Sequence, residues 1–161
     1  MPAIFIYRLG RFFIKIYLKP IGRLLTYLNR LLFSVWLPSS IQIGKNFKLG
    51  YWGLGVVIHH NAVIGDDVTI GQNVTIGRNL GDMGVPKLGN NVYVGAGTII
   101  FGNILIGNNV IIGANSVVNK NIESNSIVVG NPMKVIASNT TYTYQEIDSG
   151  NNTEYWKYWF K

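Results

Sequence analysis

Between Ile58 and Val118 an aliphatic residue recurs every six positions, with one interruption, and a small residue usually follows it directly. The aliphatic positions are Ile58, Ile64, Ile70, Ile76, Leu88, Val94, Ile100, Ile106, Ile112 and Val118. An amphipathic helix needs apolar residues at i, i+3, i+4 and i+7, and an ordinary strand alternates with a period of two. A period of six fits neither pattern, and it indicates a chain that turns a corner every six residues.

Three such turns make one coil, so the pattern predicts a mainly β fold, a parallel β-helix of triangular cross-section. Each aliphatic residue should point into the prism and stack on its counterpart in the next coil, and β-branched residues suit such strands. The glycine that follows would permit the corner because glycine tolerates positive φ, and asparagine is the next best residue there. Asparagine occupies predicted corner positions at Asn90, Asn91, Asn108 and Asn109.

The six-residue rhythm is broken twice, and loops at such breaks can present groups that flat strands cannot. The first break is a shift of register by three residues within 51–55, and the only two histidines, His59 and His60, follow it directly. The second break is the polar, glycine-rich segment 78–87, which we expect to project from a corner. These two places are the candidates for a functional site.

Residues 1–38 have helical rather than hexad spacing. Apolar residues recur with basic residues between them, and Pro20 and Gly22 interrupt the pattern, which predicts two helices with the second ending before Pro38. Charges spread through the apolar positions argue against both a membrane-spanning helix and a signal peptide. The segment is predicted either to cap the open end of the β-helix or to lie on an anionic membrane surface.

Composition sets further limits. The net charge is +7, eight of the 14 Lys and Arg residues precede Tyr51, and the first acidic residue is Asp66. No motif that reads nucleic acid accompanies this charge, so we expect no nucleic-acid partner. The absence of cysteine excludes disulfides and thiolate metal ligands, and it is consistent with a cytoplasmic protein, peripheral to the membrane if the helices bind lipid.

The chain divides into three parts: the helical segment 1–38, a β-helix over 39–137 and a tail over 138–161. The tail ends in Tyr155, Trp156, Tyr158, Trp159 and Phe160. Such an aromatic cluster is predicted to pack against the prism or a second subunit, or else to bind the acceptor.

Residues 41–137 resemble the hexapeptide-repeat acyltransferases, whose fold is a left-handed parallel β-helix. Within them the chain looks like the serine acetyltransferase branch, which includes O-acetyltransferases of bacterial surface polysaccharides. The segments that carry the resemblance are Gly55-Val56-Val57-Ile58, Val74-Thr75-Ile76-Gly77, Val94-Gly95-Ala96-Gly97, Ile112-Gly113-Ala114-Asn115-Ser116-Val117-Val118 and Gly130-Asn131-Pro132-Met133-Lys134.

The resemblance implies a homotrimer with active sites between adjacent prisms, acetyl-CoA as the acetyl donor, and no metal. It places CoA against Gly77, Gly95, Ala96, Gly113 and Ala114. Lys134 stands where the family usually has an arginine near the CoA phosphates, and a lysine can meet a phosphate as a point charge.

Transfer of an acetyl group to a hydroxyl requires a base, and neutral imidazole suits that task at neutral pH. His59 is the first candidate for the base, because the similar branch has a histidine after Gly-Leu-Gly-Val-Val-Ile, and His60 is the second. Asp66, Asp67 and Asp82 are the carboxylates that could orient an imidazole, although the first two are equally typical of solvated turns.

Two departures from the serine acetyltransferases concern the acceptor. Their Asp-His pair is replaced by Tyr51 and Trp52, and Val85 replaces a further histidine. We therefore expect a carbohydrate hydroxyl as the acceptor, with Tyr51, Trp52 and Asp82 as its contacts and Tyr93 as a further aromatic surface. The alternatives are a serine O-acetyltransferase and a non-catalytic β-helix that serves as an assembly module.

Overall fold

The computed structural model describes residues 2–81, 83–138, 140–141 and 143–149, and it begins with two helices. Helices α1 (Pro2–Lys15) and α2 (Lys19–Phe33) pack against each other, and a short helix α3 (Tyr144–Asp148) follows the strands. The strands are β1 (Gln42–Ile43), β2 (Lys48–Leu49), β3 (Val57–Ile58), β4 (Val63–Ile64), β5 (Thr69–Ile70), β6 (Thr75–Gly77), β7 (Lys87–Leu88), β8 (Val92–Val94), β9 (Ile99–Phe101), β10 (Leu105–Ile106), β11 (Val110–Ile112), β12 (Val117–Val118), β13 (Ile127–Val129) and β14 (Lys134–Ala137).

The strands form three sheets that are the faces of a prism. The first sheet has the order β1-β4-β7-β10, the second β14-β13-β11-β8-β5-β2 and the third β12-β9-β6-β3. All strand pairs within them are parallel except β13 with β14, where the chain reverses and closes the array. The predicted parallel β-helix is confirmed.

The predicted aliphatic columns are the core of this prism. In the second sheet Leu49, Ile70, Val94, Ile112 and Val128 are all fully buried, and they meet in register from coil to coil. Burying a side chain of this size contributes roughly 1.5–3 kcal/mol relative to leaving it exposed. The columns are therefore the main source of stability in the prism.

Both breaks in the repeat appear as extra length in one coil. Ile58 pairs with Ile76, 18 residues later, which is one regular coil. The pair Ile43 and Ile64 spans 21 residues, and the excess is the turn Gly50–Gly53 and its neighbours. The pair Ile64 and Leu88 spans 24 residues, because the second break adds six residues after β6.

The glycines that follow the aliphatic residues were expected to adopt positive φ, and that expectation is wrong. Positive φ falls on the corner residues Asp67, Asn91, Asn109 and Asn125 instead. A Cβ atom on Gly95 would lie 2.5 Å from the backbone nitrogen of Ala114 in the next coil. Glycine is required here because adjacent coils approach closely at the corner.

Asparagine and aspartate stabilise one corner by bonding from coil to coil. The Asn46 amide donates to the Asp67 carboxylate at 2.9 Å, Asn91 donates to Asn109 at 2.9 Å and Asn109 to Asn125 at 2.9 Å. Beside this ladder, the backbone N–H of Lys45 donates to Asp66 at 2.6 Å. Asp66 and Asp67 are thus structural corner residues that do not orient a histidine.

The boundary between the helices differs from the prediction. The chain turns at Tyr17, which has a φ of 66°, and α2 already includes Pro20 and Gly22. Proline is tolerated because it stands in the first turn, where its missing N–H would have no helical partner. Gly22 is buried against α1, since a Cβ there would lie 2.9 Å from the carbonyl oxygen of Gly10.

The helical hairpin of α1 and α2 caps the first coil, as one of the two predictions has it. The buried Tyr7 hydroxyl donates to the Ile41 carbonyl at 2.8 Å, and Arg8 donates to the Ile43 carbonyl at 2.9 Å. Arg11 donates to the Ser40 carbonyl at 2.9 Å. These bonds satisfy carbonyl groups of the end coil that have no neighbouring coil to pair with.

Helix α3 lies against the second sheet, where Gln145 lines a cavity with Lys48 of β2 and Thr69 of β5. The rings of Tyr93 and Tyr144 stack with centroids 4.3 Å apart, so Tyr93 contributes to tail packing. The aromatic cluster of residues 155–160 lies outside the described residues.

Candidate active site

His59 follows β3 directly and is held by the backbone of the next coil. Its N–H donates to the Ile76 carbonyl at 2.8 Å, and its own carbonyl accepts the N–H of Ala62 at 3.0 Å. The side chain is half-buried. The break that precedes β3 and the regular coil that follows it therefore fix the position of this imidazole.

The environment of His59 favours a neutral ring. Partial burial is the main cause that lowers its pKa below the ordinary value of 6.5, and His60 and Arg78 lower it further. The backbone N–H of Asn61 donates to Nδ1 at 3.2 Å. Nδ1 therefore carries the lone pair of the neutral ring, and Nε2 carries the hydrogen.

His60 is exposed, and its ring stacks on that of His59 with centroids 4.2 Å apart and an angle of 28°. It also lines a cavity of about 400 Å³ between the helical hairpin and the first coil. Tyr27, Trp36, Lys19 and Arg23 line the same cavity, which we call the hairpin cavity. Aromatic faces, two basic side chains and an imidazole thus surround one space.

Trp36 links this cavity to β3, the strand that precedes His59. Its N–H donates to the Val56 carbonyl at 2.8 Å, and its carbonyl accepts the N–H of Ile58 at 3.0 Å. Tyr27 meets the Trp36 ring edge to face, with centroids 5.7 Å apart. Neither residue was a candidate at the sequence level, because both lie before the first hexad and only the tertiary structure brings them beside His60.

Tyr51 and Trp52, the predicted substrate contacts, line a different cavity of about 400 Å³ together with Phe33 and Leu54. Both are exposed, and both have positive φ, 45° and 59°. A left-handed conformation costs a non-glycine residue roughly 1–2 kcal/mol. Strain of this kind in an exposed turn is a reason to suspect function there, although this cavity does not include either histidine.

The third predicted substrate contact, Asp82, lies outside the described residues. In the same loop the Arg78 guanidinium approaches the Met83 sulfur at 3.3 Å. Arg78 was not a sequence candidate, yet it is the loop residue whose charge lowers the pKa of His59.

The predicted CoA contacts divide into buried and open positions. The N–H groups of Gly95 and Gly113 donate to the carbonyls of Ile112 and Val128 at 2.8 Å, so they hold coils together. Ala114 is exposed at the same corner, and Ala96 is half-buried. At Gly77 a Cβ would meet nothing within 4 Å, so packing between coils does not demand a glycine there.

Lys134 begins β14, pairs in register with Val129 and is exposed. Its position at the closing end of the prism keeps the ammonium group accessible to an anion.

Known proteins share both the repeat and the fold of this chain. Residues 86–120 match the model of the bacterial transferase hexapeptide family, described as six repeats. No curated protein sequence matches the chain. Among solved structures, serine acetyltransferase from Brucella abortus strain S19 in complex with coenzyme A is similar at 31% identity, with a TM-score of 0.82. That similarity covers 88% of this chain and 56% of the other.

Two further structures agree. Soybean serine acetyltransferase complexed with serine has 33% identity and a TM-score of 0.77, covering 83% of this chain and 56% of that one. Serine acetyltransferase from Vibrio cholerae O1 biovar El Tor N16961 has 29% identity and a TM-score of 0.80, covering 86% and 54%. This chain therefore spans little more than half the length of these proteins. By its repeat and by its left-handed β-helical fold, it is a member of the hexapeptide-repeat family that is similar to the serine acetyltransferases.

Proposed function

We propose that this protein is an acetyl-CoA-dependent O-acetyltransferase in which His59 is the general base. The observation that carries the proposal is the state of the His59 ring, which is half-buried and has a pKa lowered below 6.5. Such a ring is neutral at neutral pH, and its Nδ1 accepts the backbone N–H of Asn61 at a long 3.2 Å, a bond that an acceptor hydroxyl must displace to reach the lone pair. A base of this kind contributes typically 10²–10⁴-fold to the rate of a proton transfer reaction.

The reaction needs no covalent enzyme intermediate. An acceptor hydroxyl donates its proton to the neutral imidazole of His59 while its oxygen attacks the thioester carbonyl of acetyl-CoA. The tetrahedral intermediate collapses, the carbon–sulfur bond breaks, and the thiolate takes the proton from the imidazolium. The products are the acetyl ester and CoA, and His59 is neutral again.

Acetyl-CoA as donor is supported by the similar serine acetyltransferase from Brucella abortus, which was crystallised in complex with coenzyme A. In this chain the open positions Gly77 and Ala114 and the exposed Lys134 are the residues we assign to CoA. A groove between two prisms would bring such residues of one copy beside His59 of another, so we propose a homotrimer as the active assembly.

The acceptor has two candidates, and different observations favour them. The soybean structure complexed with serine favours serine, and the comparisons support this acceptor more directly than a saccharide. The hairpin cavity favours a saccharide hydroxyl, because Tyr27 and Trp36 offer aromatic faces beside His60. Tyr51, Trp52 and Val85 also differ from the groups that the serine acetyltransferases place at those positions.

The test measures CoA thiol release from acetyl-CoA with serine and with a panel of saccharides. The wild-type chain is expected to turn over with one of these acceptors, and His59→Gln is expected to lose about 10²–10⁴-fold in kcat. His60→Gln is the comparison variant: the His60 ring stacks on that of His59 and lines the hairpin cavity, so its substitution should raise the KM for a saccharide bound there. It should keep most of the kcat.

Full activity of His59→Gln would overturn the assignment of the base. If neither serine nor any saccharide is acetylated and calorimetry detects no CoA binding, the chain is a non-catalytic β-helix and the proposal fails. Turnover with serine alone would exclude the saccharide candidate and retain the mechanism.

A further inference from the structure

The helical hairpin turns apolar side chains away from the protein. On α1 the residues Phe5, Leu9 and Phe12 recur at helical spacing, and Ile16 continues the stripe. All are exposed, Phe5 to 69% and Phe12 to 55%. On α2 the exposed stripe consists of Ile21, Leu24, Leu28, Leu31 and Leu32, with Leu31 exposed to 80%.

The inward faces of the same helices are small or polar. The buried residues of α1 are Ala3, Tyr7 and Gly10, and those of α2 are Gly22, Thr26 and Asn29. Internal bonds involve most of these polar groups: the Asn29 amide nitrogen donates to the Ala3 carbonyl at 2.9 Å, and the Ser39 hydroxyl donates to the Gly22 carbonyl at 3.0 Å. Among the described residues, the buried Oδ1 of Asn29 has no hydrogen-bond partner. The hairpin thus has the reverse of the usual arrangement in a water-soluble helix.

Contiguous exposed apolar surface on this scale marks an interaction site. Helices of 14 and 15 residues are roughly 21–23 Å long, at 1.5 Å per residue. The hydrocarbon core of a bilayer is about 30 Å thick. None of the described helices is long and apolar enough to cross a membrane. The geometry instead fits helices that lie in the interface plane with their apolar faces buried in the outer part of one leaflet.

Charge decides between a membrane and a second copy of this chain. Residues 1–65 contain eight basic residues and no acidic one. Arg8 and Arg11 are used to cap the first coil, whereas Lys15, Lys19, Arg23 and Arg30 are exposed beside the apolar stripes. Two copies meeting through this surface would bring these like charges together with no carboxylate between them, whereas an anionic bilayer supplies the missing countercharge.

We infer that the helical hairpin is a monotopic membrane anchor that inserts its outward apolar stripes into an anionic bilayer surface. The basic residues beside the stripes contact the headgroups, and the long lysine and arginine side chains reach them from the edge of the buried face. Because Lys19 and Arg23 also line the hairpin cavity, the anchor would hold this cavity and His60 beside the membrane surface.

Vesicle flotation with the full chain tests the anchor. Vesicles of phosphatidylcholine and phosphatidylglycerol in equal parts are compared with vesicles of phosphatidylcholine alone. We expect strong binding to the anionic vesicles that weakens as salt is added, and weaker binding to the neutral ones. The double variant Phe12→Ser/Leu31→Ser is expected to lower the partition coefficient at least tenfold, because two side chains that should enter the acyl region become polar.

Two further variants separate charge from hydrophobicity. Lys15→Gln/Arg30→Gln should lower the partition to anionic vesicles by about fivefold per residue at low salt and leave neutral vesicles unaffected. The matched controls are Leu105→Ser, which removes an apolar side chain exposed to 58% on the prism, and Lys48→Gln/Lys120→Gln. Both controls should bind like the wild type, and thermal unfolding should show that every variant is folded.

The inference is overturned if the wild type does not float with anionic vesicles, or if Phe12→Ser/Leu31→Ser floats as well as the wild type. Light scattering after gel filtration gives a third outcome. A variant that changes the oligomeric mass while vesicle binding is absent would show that the stripes join protein subunits, and it would equally overturn the anchor. None of these measurements depends on acetyl transfer, so the result is independent of the proposed reaction.

Discussion

The prism and the helical hairpin bury their side chains in opposite ways. In the prism every repeated aliphatic residue points inward, and the corners carry the polar groups. In the hairpin the inward residues are small or polar, and leucine and phenylalanine point outward. The comparison shows that apolar content alone does not locate a core, because the same residue types stabilise the prism by packing and leave the hairpin surface available for binding.

The largest effect is expected from breaking a column of the prism. Ile100 is fully buried in β9 between Ile76 and Val118 of the adjacent coils. Ile100→Ala should lower the free energy of unfolding by about 2–5 kcal/mol, through lost transfer energy and a residual cavity. Leu31→Ala, an aliphatic truncation on the hairpin surface, should change it by less than about 0.5 kcal/mol. Urea unfolding followed by circular dichroism measures both, and equal effects would contradict the contrast.

A smaller effect is expected from two glycines at equivalent positions of the repeat. Gly95→Ala places a Cβ 2.5 Å from the backbone of Ala114, and we expect about 1–3 kcal/mol of destabilisation from overpacking. Gly77→Ala meets open space and should leave the stability unchanged. Thermal unfolding of the two variants distinguishes them. A destabilised Gly77→Ala would show that something other than contact between coils demands this glycine.

The pH dependence of activity tests the proposed role of His59, which the prism holds in place, as the general base. The pKa of His59 is lowered below 6.5, so the neutral base persists as the pH falls through 6.5 and is lost only at more acidic pH. We expect kcat/KM to be level at neutral pH and then to fall about tenfold per pH unit below the pKa of His59. Initial rates of thiol release across this range measure the profile. A midpoint above 6.5 would exclude His59 as the base.

The smallest effect concerns the junction between the two regions. Tyr7→Phe removes a buried bond to the Ile41 carbonyl and should cost about 0.5–1.5 kcal/mol. Burial raises the pKa of Tyr7 above 10.0, while Arg11 and Arg8 oppose the rise. The neutral hydroxyl is thus favoured in the folded state, so its stabilising contribution is present below pH 10 and is lost as the pH rises through the folded pKa. Denaturant unfolding at neutral and alkaline pH should show this loss in the wild type and not in Tyr7→Phe.

The prism was predictable because its information is local and repeated. The inward-pointing residue of each hexad can be identified from its position in the six-residue period. The columns, the two breaks and the place of His59 after the first break can therefore be located by counting residues along the chain. The corner glycines show what the period alone does not explain. Their residue type is visible in the sequence, but its cause is the distance to the next coil, as at Gly95 and Ala114.

The site was predictable only in part for the same reason. His59 was a candidate because it follows a break in the repeat and because the similar acyltransferases have a histidine after the same segment. Tyr27 and Trp36 were not, since they reach His60 through the folding of the hairpin onto the first coil. Tyr51 and Trp52 were predicted as acceptor contacts, and the turn Gly50–Gly53 places them in a cavity that includes neither histidine.

The sequence by itself determined that this chain forms a parallel β-helix, where its regular coils are interrupted, and that its basic charge is concentrated before the repeats. Only the tertiary structure decided which face of each helix is exposed, which nitrogen of His59 holds the lone pair, and which residues surround His60. The physical reason is that a repeated strand meets its own pattern in the next coil, so neighbours are fixed by period. The hairpin packs against a single coil and has no repeat. Its contacts depend on close approach and hydrogen bonds, which cannot be read from a sequence period.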